Sequence, residues 1–456
     1  MTGLVAHAIG GVRDLPIPLW LFYYGGAIVL VLSFVALGVL WRRPLLEGAD
    51  EGKPLAESLQ QFLLSAPLRV VLGGASLGLL IVIFLAALVG EPSAGQNLSP
   101  TFVFVLFWVG LVFVVVLLGD IYSVLNPWRA GADLVAWFWR EGGWSWSSGI
   151  EYPERLGRWP ATILLFAFTA LELAYVEPAN PRALALAIFL YSWVTWVGMA
   201  AYGRETWLRN GEAFNVYFEL LGRIAAFGRR RSGARLAVRL PLSGLTRVDY
   251  PPGTLAFVCV MLGSVAFDGF SRTSRWIDWR FRLEEPYVLD NPGLADLIVT
   301  GFNLAGLIAF VLLVATAFLA AIQLAKRVAA SSRPLVYAFL GSLVPIACAY
   351  ALAHYFSLLV IQGQVGITLI SDPFGFGWDL FGTADYQADP TVLSPNTIWY
   401  FQVAVLVTGH VAGLILAHDR AVVLFDSPRT AIRTQYAMLA LMVVYTVGGL
   451  WLLSRG

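Results

Sequence analysis

The chain has 456 residues, 58% of them hydrophobic and only 13% charged, with a formal net charge of +1. That balance is far from the one soluble domains carry and makes lipid the solvent for most of the chain. Near-neutral charge excludes a bulk electrostatic footprint for nucleic acid, and two cysteines, Cys259 and Cys348, both in apolar stretches, are too few for a disulfide framework or a cysteine metal site.

Residues 1–6 are too short to carry a secretory leader, so none is expected. His7 follows in a segment that reaches Pro16 and Pro18. It is expected in a free terminal tail, the other placement being over the outer mouth as an extra ligand. Ten apolar stretches then recur, each long enough to cross a hydrocarbon core: 18–40, 70–89, 101–118, 159–176, 183–202, 253–270, 294–325, 334–362, 397–416 and 435–453. The fold class this predicts is an all-α integral membrane protein of about ten transmembrane helices. Its halves, 1–202 and 253–456, are joined by a basic segment, 203–252. The flipped orientation of the halves permits an inverted repeat, although no residues match between them.

The loops after the odd-numbered spans hold 23 of the 30 Lys and Arg residues. Positive charge stays on the cytoplasmic side, so both termini are expected outside. The segment 271–292 runs against this pattern with Arg272, Arg275, Arg280 and Arg282. Its interleaved Trp276, Trp279, Asp278, Glu284 and Glu285 read as an interfacial segment. Trp20, Tyr23, Tyr24, Trp41, Trp159, Tyr175, Trp399, Tyr400 and Trp451 fall near span ends, as an aromatic belt would place them.

Two segments between the spans stand out. In 211–227 (GEAFNVYFELLGRIAAF), Phe214, Phe218, Leu221, Ile224 and Ala225 share one helical face, and Glu212, Asn215, Glu219 and Arg223 the other. This predicts an amphipathic helix lying flat in the cytoplasmic interface, with Arg229, Arg230, Arg231 and Arg235 drawing anionic headgroups as partners. The outer loop 363–396 has no Lys or Arg but carries Asp372, Asp379, Asp385 and Asp389 among glycines and aromatics. Such a loop reads either as a lid or cation-attracting vestibule or as an ordinary solvated connection.

Ionisable groups in hydrocarbon are costly and face the bundle interior when they occur. Those in the spans are Glu172, Asp268, Asp296 and Asn303 (a polar companion), His354 and His410, with Gln362, Gln364 and Gln402 flanking the outer mouth. At about 1.5 Å per helical residue, His354 and Asn303 lie roughly 12 Å below the outer end and His410 roughly 20 Å. Tyr350, His354 and Ser357 form a polar stripe on the eighth span. Histidine and carboxylate together suit a Zn-like divalent ion, or a proton relay, since imidazole titrates near neutral pH. Haem held by His354 and His410 is disfavoured by a depth difference of roughly 8 Å. At the inner end, Asp120 in GDIYSVLNPWR and the run His418, Asp419, Arg420 read as interface pairing or capping, or else as an inner gate.

The segments AHAIGGVRDLPIP, GDIYSVLNPWR, NGEAFNVYFELLGR, FDGFS, AHYFSLLVIQGQ and TGHVAGLILAHDRA together resemble a family of bacterial polytopic membrane proteins labelled fenitrothion hydrolase-like. The resemblance runs over most of the chain. It implies a multi-pass protein of the bacterial cytoplasmic membrane and hydrolysis of an organophosphate by a metal-activated water. The positions it singles out are Asp120, Asp268, His354, Gln362, His410 and His418. No GxSxG, HExxH or P-loop accompanies them. Three functions follow as expectations. The first is a transporter for a small solute or metal ion; the others are a membrane-embedded metal-dependent hydrolase and a membrane subunit or anchor of a larger complex.

Overall fold

A computed structural model of the chain describes residues 18–141, 149–230, 235–247, 249–329 and 334–454. His7 and Arg231 lie outside the described residues. Among those described, ten helices are long and apolar enough to cross a membrane. They are Trp20–Leu40, Glu57–Val89, Leu98–Leu118, Glu154–Leu173, Pro181–Tyr202, Thr254–Ser271, Pro292–Ala329, Leu335–His354, Pro395–Leu424 and Pro428–Leu453. Each expected span is present. Several run longer than their apolar stretch, because helix continues into the polar segment at one end. The protein is therefore an all-α polytopic membrane protein. The end where positive charge is scarce is called the outer end below.

The sixth and eighth spans are the most deeply enclosed, and the others surround them. Without water to expel, spans are held by close packing, which small residues permit. The ninth span meets the eighth through Gly409 and Gly413. A Cβ at Gly409 would collide with Ala349, and one at Gly413 would stand 2.6 Å from the Ser342 carbonyl oxygen. The GHVAG stretch is thus a small-xxx-small seam.

Of the spans that depart from a regular α-helix, two bear on the site. In the third, Thr101–Gly110 winds as a π-helix before Leu111–Leu118 resumes α geometry. The eighth begins as Leu335–Leu340, tightens to a 3-10 turn at Gly341–Leu343, continues as Val344–His354, and breaks at Tyr355 (φ −96°, ψ 6°) before Phe356–Gln362. Irregular backbone at membrane depth is best tolerated where protein surrounds it, and the eighth span is one of the two most enclosed.

The amphipathic helix forms over Ala213–Gly222, but it does not lie flat against headgroups. Both faces are buried, and Phe214 packs among Phe107, Trp128, Phe168 and Tyr191 inside the bundle. The apolar face meets an aromatic cluster, and the polar face hydrogen-bonds to protein partners. Glu212 caps the first turn, accepting from Phe214 N at 3.0 Å and Asn215 N at 2.7 Å. It also accepts from Asn126 Nδ2 at 2.9 Å and from the Tyr191 hydroxyl. At the far end, Arg239 donates to the carbonyls of Gly222, Arg223 and Ala225. Acid at the N-terminus and base at the C-terminus complement the helix dipole, which lets the segment be buried whole. A three-stranded antiparallel sheet closes the inner side, with 236–238 paired between 53–54 and 227–229.

Candidate functional site

The sixth and eighth spans bring the site together. Asp268 stands one turn before the end of the sixth and is only 2% exposed. Arg272, four residues on, folds back along the same helix face and donates to Oδ1 through Nε at 3.0 Å and Nη2 at 2.8 Å. The other oxygen, Oδ2, lies 2.9 Å from Nε2 of His354. His354 is the last residue before the helix break, so its imidazole projects from a helix end. The Tyr355 ring stands edge-on to it with centroids 4.8 Å apart, and the Tyr355 hydroxyl hydrogen-bonds with Asp268. One carboxylate is thereby shared by a guanidinium, an imidazole and a phenol from two spans.

Glu172, near the outer end of the fourth span, faces this group closely enough to couple with the charges of Asp268 and Arg272. Trp108, in the π-helical stretch, comes within hydrogen-bonding reach of its carboxylate, while Oε2 is buried without a protein partner. Trp108 is positioned by Tyr217 of the inserted helix, with ring centroids 4.7 Å apart. Trp108, Tyr217 and Tyr355, with Met261 and Val265, line a small void beside the carboxylates. The π-helical stretch and the break at Tyr355 therefore contribute to one place. This matches the tendency of π-helical stretches and broken helices to mark functional sites.

The other residues singled out from sequence are distributed elsewhere. Asn303 accepts from Trp276 Nε1 at 3.0 Å and donates to the Ala174 carbonyl at 3.4 Å. It pins the helix Ser274–Glu284 over the outer end, and that helix fills the segment expected to be interfacial. Asp296 is exposed. Gln364 is bonded into the outer loop through Tyr386 and the backbone of Asp389, and Gln362 is partly buried beside it. Three of the loop carboxylates hold turns: Asp372 accepts from Phe376 N and Gly377 N, Asp379 from Ala384 N, and Asp389 from Thr391. The loop is a built structure.

His410 is fully buried one helical turn below the site, against Tyr350 at 5.7 Å between centroids. Its Nδ1 bonds the Leu406 carbonyl at 2.8 Å, and it takes no part in the Asp268 cluster. His418 has both ring nitrogens engaged, Nδ1 with Gln435 Oε1 and Nε2 with the Trp41 carbonyl, each at 3.0 Å.

At the inner end, Asp120 accepts from Ser123 N at 3.3 Å and so caps the short helix Tyr122–Leu125. Burial, with Glu219 nearby, pushes its carboxyl up to about 7. Glu219 is bridged by Arg223 at 2.5 Å and Arg158 at 3.2 Å, and Arg223 lies over the Tyr250 ring at 5.7 Å. This inner ionic cluster, the Glu212 node and the partners Arg272, Tyr355, Trp108 and Tyr217 escaped sequence reasoning. Only Arg272 left a signal there, its i+4 spacing from Asp268.

Among the described residues, no three His, Cys, Asp or Glu side chains converge as metal ligands. At the outer cluster Arg272 and His354 already occupy the Asp268 oxygens, an arrangement suited to exchanging protons and hydrogen-bond partners. No family model, curated protein or solved structure matches the chain.

Proposed function

We propose that this membrane protein is a transporter that moves a small solute, with proton exchange at the Asp268–His354 pair. The observation that carries the reading is the Asp268 carboxylate bridging two spans at a helix break, with a second carboxylate, Glu172, opposite it. Two carboxylates face one guanidinium, so the group holds an excess negative charge, and a proton is the smallest ion that balances it. The Arg272 side chain is 30% exposed and gives the group contact with the outer side. Loading Asp268 with a proton weakens its ties to Arg272 and His354. The sixth and eighth spans are then held together less tightly at their outer ends. The break at Tyr355 supplies a hinge for Phe356–Gln362, and the Arg158–Glu219–Arg223 cluster supplies a closure at the inner end. Coupling requires that both ends bias the same two-state element, and the inserted helix touches both clusters through Tyr217 and Glu219.

The test uses proteoliposomes with an internal pH-sensitive dye, an acid-outside gradient and a panel of amino acids, dicarboxylates, sugars, amines and organophosphate esters. One solute class is expected to accelerate collapse of the gradient. That acceleration should drop at least about tenfold in Asp268→Asn and His354→Ala, in line with loss of an essential proton-transfer group, and persist in Asp296→Asn. Ester hydrolysis without proton movement would replace this reading with the hydrolase. A silent panel, or equal flux in all variants, would overturn it.

A further inference from the structure

A second site lies in the first half of the bundle, away from the Asp268 cluster. The second, third, fourth and fifth spans enclose a cavity of about 480 Å³, within the range that lipophilic ligands occupy. Its walls are leucines, isoleucines and aromatics, including Ile83, Phe102, Leu164 and Ile188, and no Lys or Arg occurs among the described lining residues. Leu79 and Leu190, which also line it, are 40% and 50% exposed on their lipid-facing spans, so the cavity opens sideways to the bilayer. Its floor is different. Trp128 and Phe214 meet there with two phenols, Tyr122 and Tyr191. The Tyr191 hydroxyl is committed to Glu212. The Tyr122 hydroxyl is buried, in a residue only 1% exposed, and has no protein partner.

We propose that this cavity binds a neutral, lipid-soluble molecule with one long hydrocarbon chain and a carbonyl head that accepts a hydrogen bond from Tyr122. An apolar void of this size left empty would forfeit dispersion contacts along its whole wall. A hydrocarbon chain restores them, and the lateral opening admits a molecule already dissolved in the bilayer. The orphaned hydroxyl decides the head. A buried donor gains most from an acceptor that is otherwise unavailable to it. The carboxylates of Glu212 and Asp120 both act on the Tyr122 hydroxyl, and no Lys or Arg occurs among the described lining residues, so an anionic head would be repelled with nothing in the cavity wall to offset it. An ester or ketone carbonyl satisfies the donor without that repulsion.

The probe is a long-chain methyl ester carrying a photoreactive diazirine, irradiated with the full-length protein in lipid nanodiscs and mapped by peptide mass spectrometry. Label is expected on peptides containing Ile83, Phe102 and Ile188. Unlabelled methyl hexadecanoate should compete, and the free acid at alkaline pH should not. Tyr122→Phe removes one oxygen and keeps the packing, so apparent affinity should fall about fivefold, as loss of one net hydrogen bond predicts. Ala187→Phe fills the cavity and should abolish labelling, provided the variant elutes and melts as wild type does. Should it misfold, Tyr122→Phe decides alone. Labelling confined to lipid-facing residues, or unchanged in Tyr122→Phe, would overturn the site. Equal competition by the free acid would overturn the neutral head.

Discussion

The two ends of the bundle use the same pair of residue types in opposite ways. At the outer end, Asp268 and His354 come from different spans, and the carboxylate is divided among Arg272, His354 and Tyr355 beside an incompletely paired Glu172. At the inner end, His418 and Asp419 are neighbours on the ninth span, and each is fully occupied. Asp419 Oδ1 accepts from Trp41 Nε1 and from the amides of Leu45 and Leu46, and Oδ2 from the amide of Glu47. His418 reaches Gln435 and the Trp41 carbonyl. The inner pair fastens the turn after the first span to the last two spans, and nothing in it is free to exchange. The outer pair joins two spans at a helix break, and its partner Arg272 is 30% exposed. The contrast suggests that saturation of lone pairs, more than residue type, separates a clasp from a working site in lipid.

The largest expected effect tests the clasp. Asp419→Ala leaves four donors without their acceptor and should cost about 3 kcal/mol, as charge-assisted bonds to partly buried donors do. Denaturant unfolding in micelles measures it. Asp268→Asn should cost clearly less, because Arg272 can turn to water, while abolishing solute-driven proton flux. If the two variants swapped these behaviours, the comparison would be reversed.

A smaller effect comes from Asp120, which lies outside the spans. Its folded carboxyl is raised from the ordinary aspartate range of about 4 to about 7. The native state therefore holds this proton more tightly than the unfolded state does. The stabilisation is fully present below about pH 4 and is lost as pH rises through about 7. Asp120→Asn should remove that part of the decline, visible as a flatter melting temperature across the same pH window. An unchanged slope would mean that Asp120 is solvated as ordinary aspartates are.

Much of the fold was legible in the sequence, because hydropathy and alternating positive charge are constraints that lipid imposes on every span. The inserted helix was not. Its two faces announced two environments, but a polar face satisfied by Asn126, Tyr191 and Arg158, all distant in sequence, looks the same as one satisfied by water. At the site, Asp268, His354 and Glu172 stood out because ionisable groups are rare in apolar stretches. Their grouping depended on the break at Tyr355, which no proline or glycine marks, and on the π-helical turns that aim Trp108, which Pro100 and Gly110 bound without announcing their winding. His410 had the same sequence credentials as His354. Its position one turn deeper, behind Tyr350, follows from the glycine seam at Gly409 and Gly413.

The most direct test of proton exchange at the outer pair is infrared difference spectroscopy of the protein in lipid between acid and neutral pH, on wild type, Asp268→Asn and Glu172→Gln. A band from a protonated carboxyl in an apolar setting, present in wild type and lost or shifted in Asp268→Asn, is the predicted result. Identical difference spectra in all three proteins would contradict it and leave the Asp268–His354 pair as a second clasp.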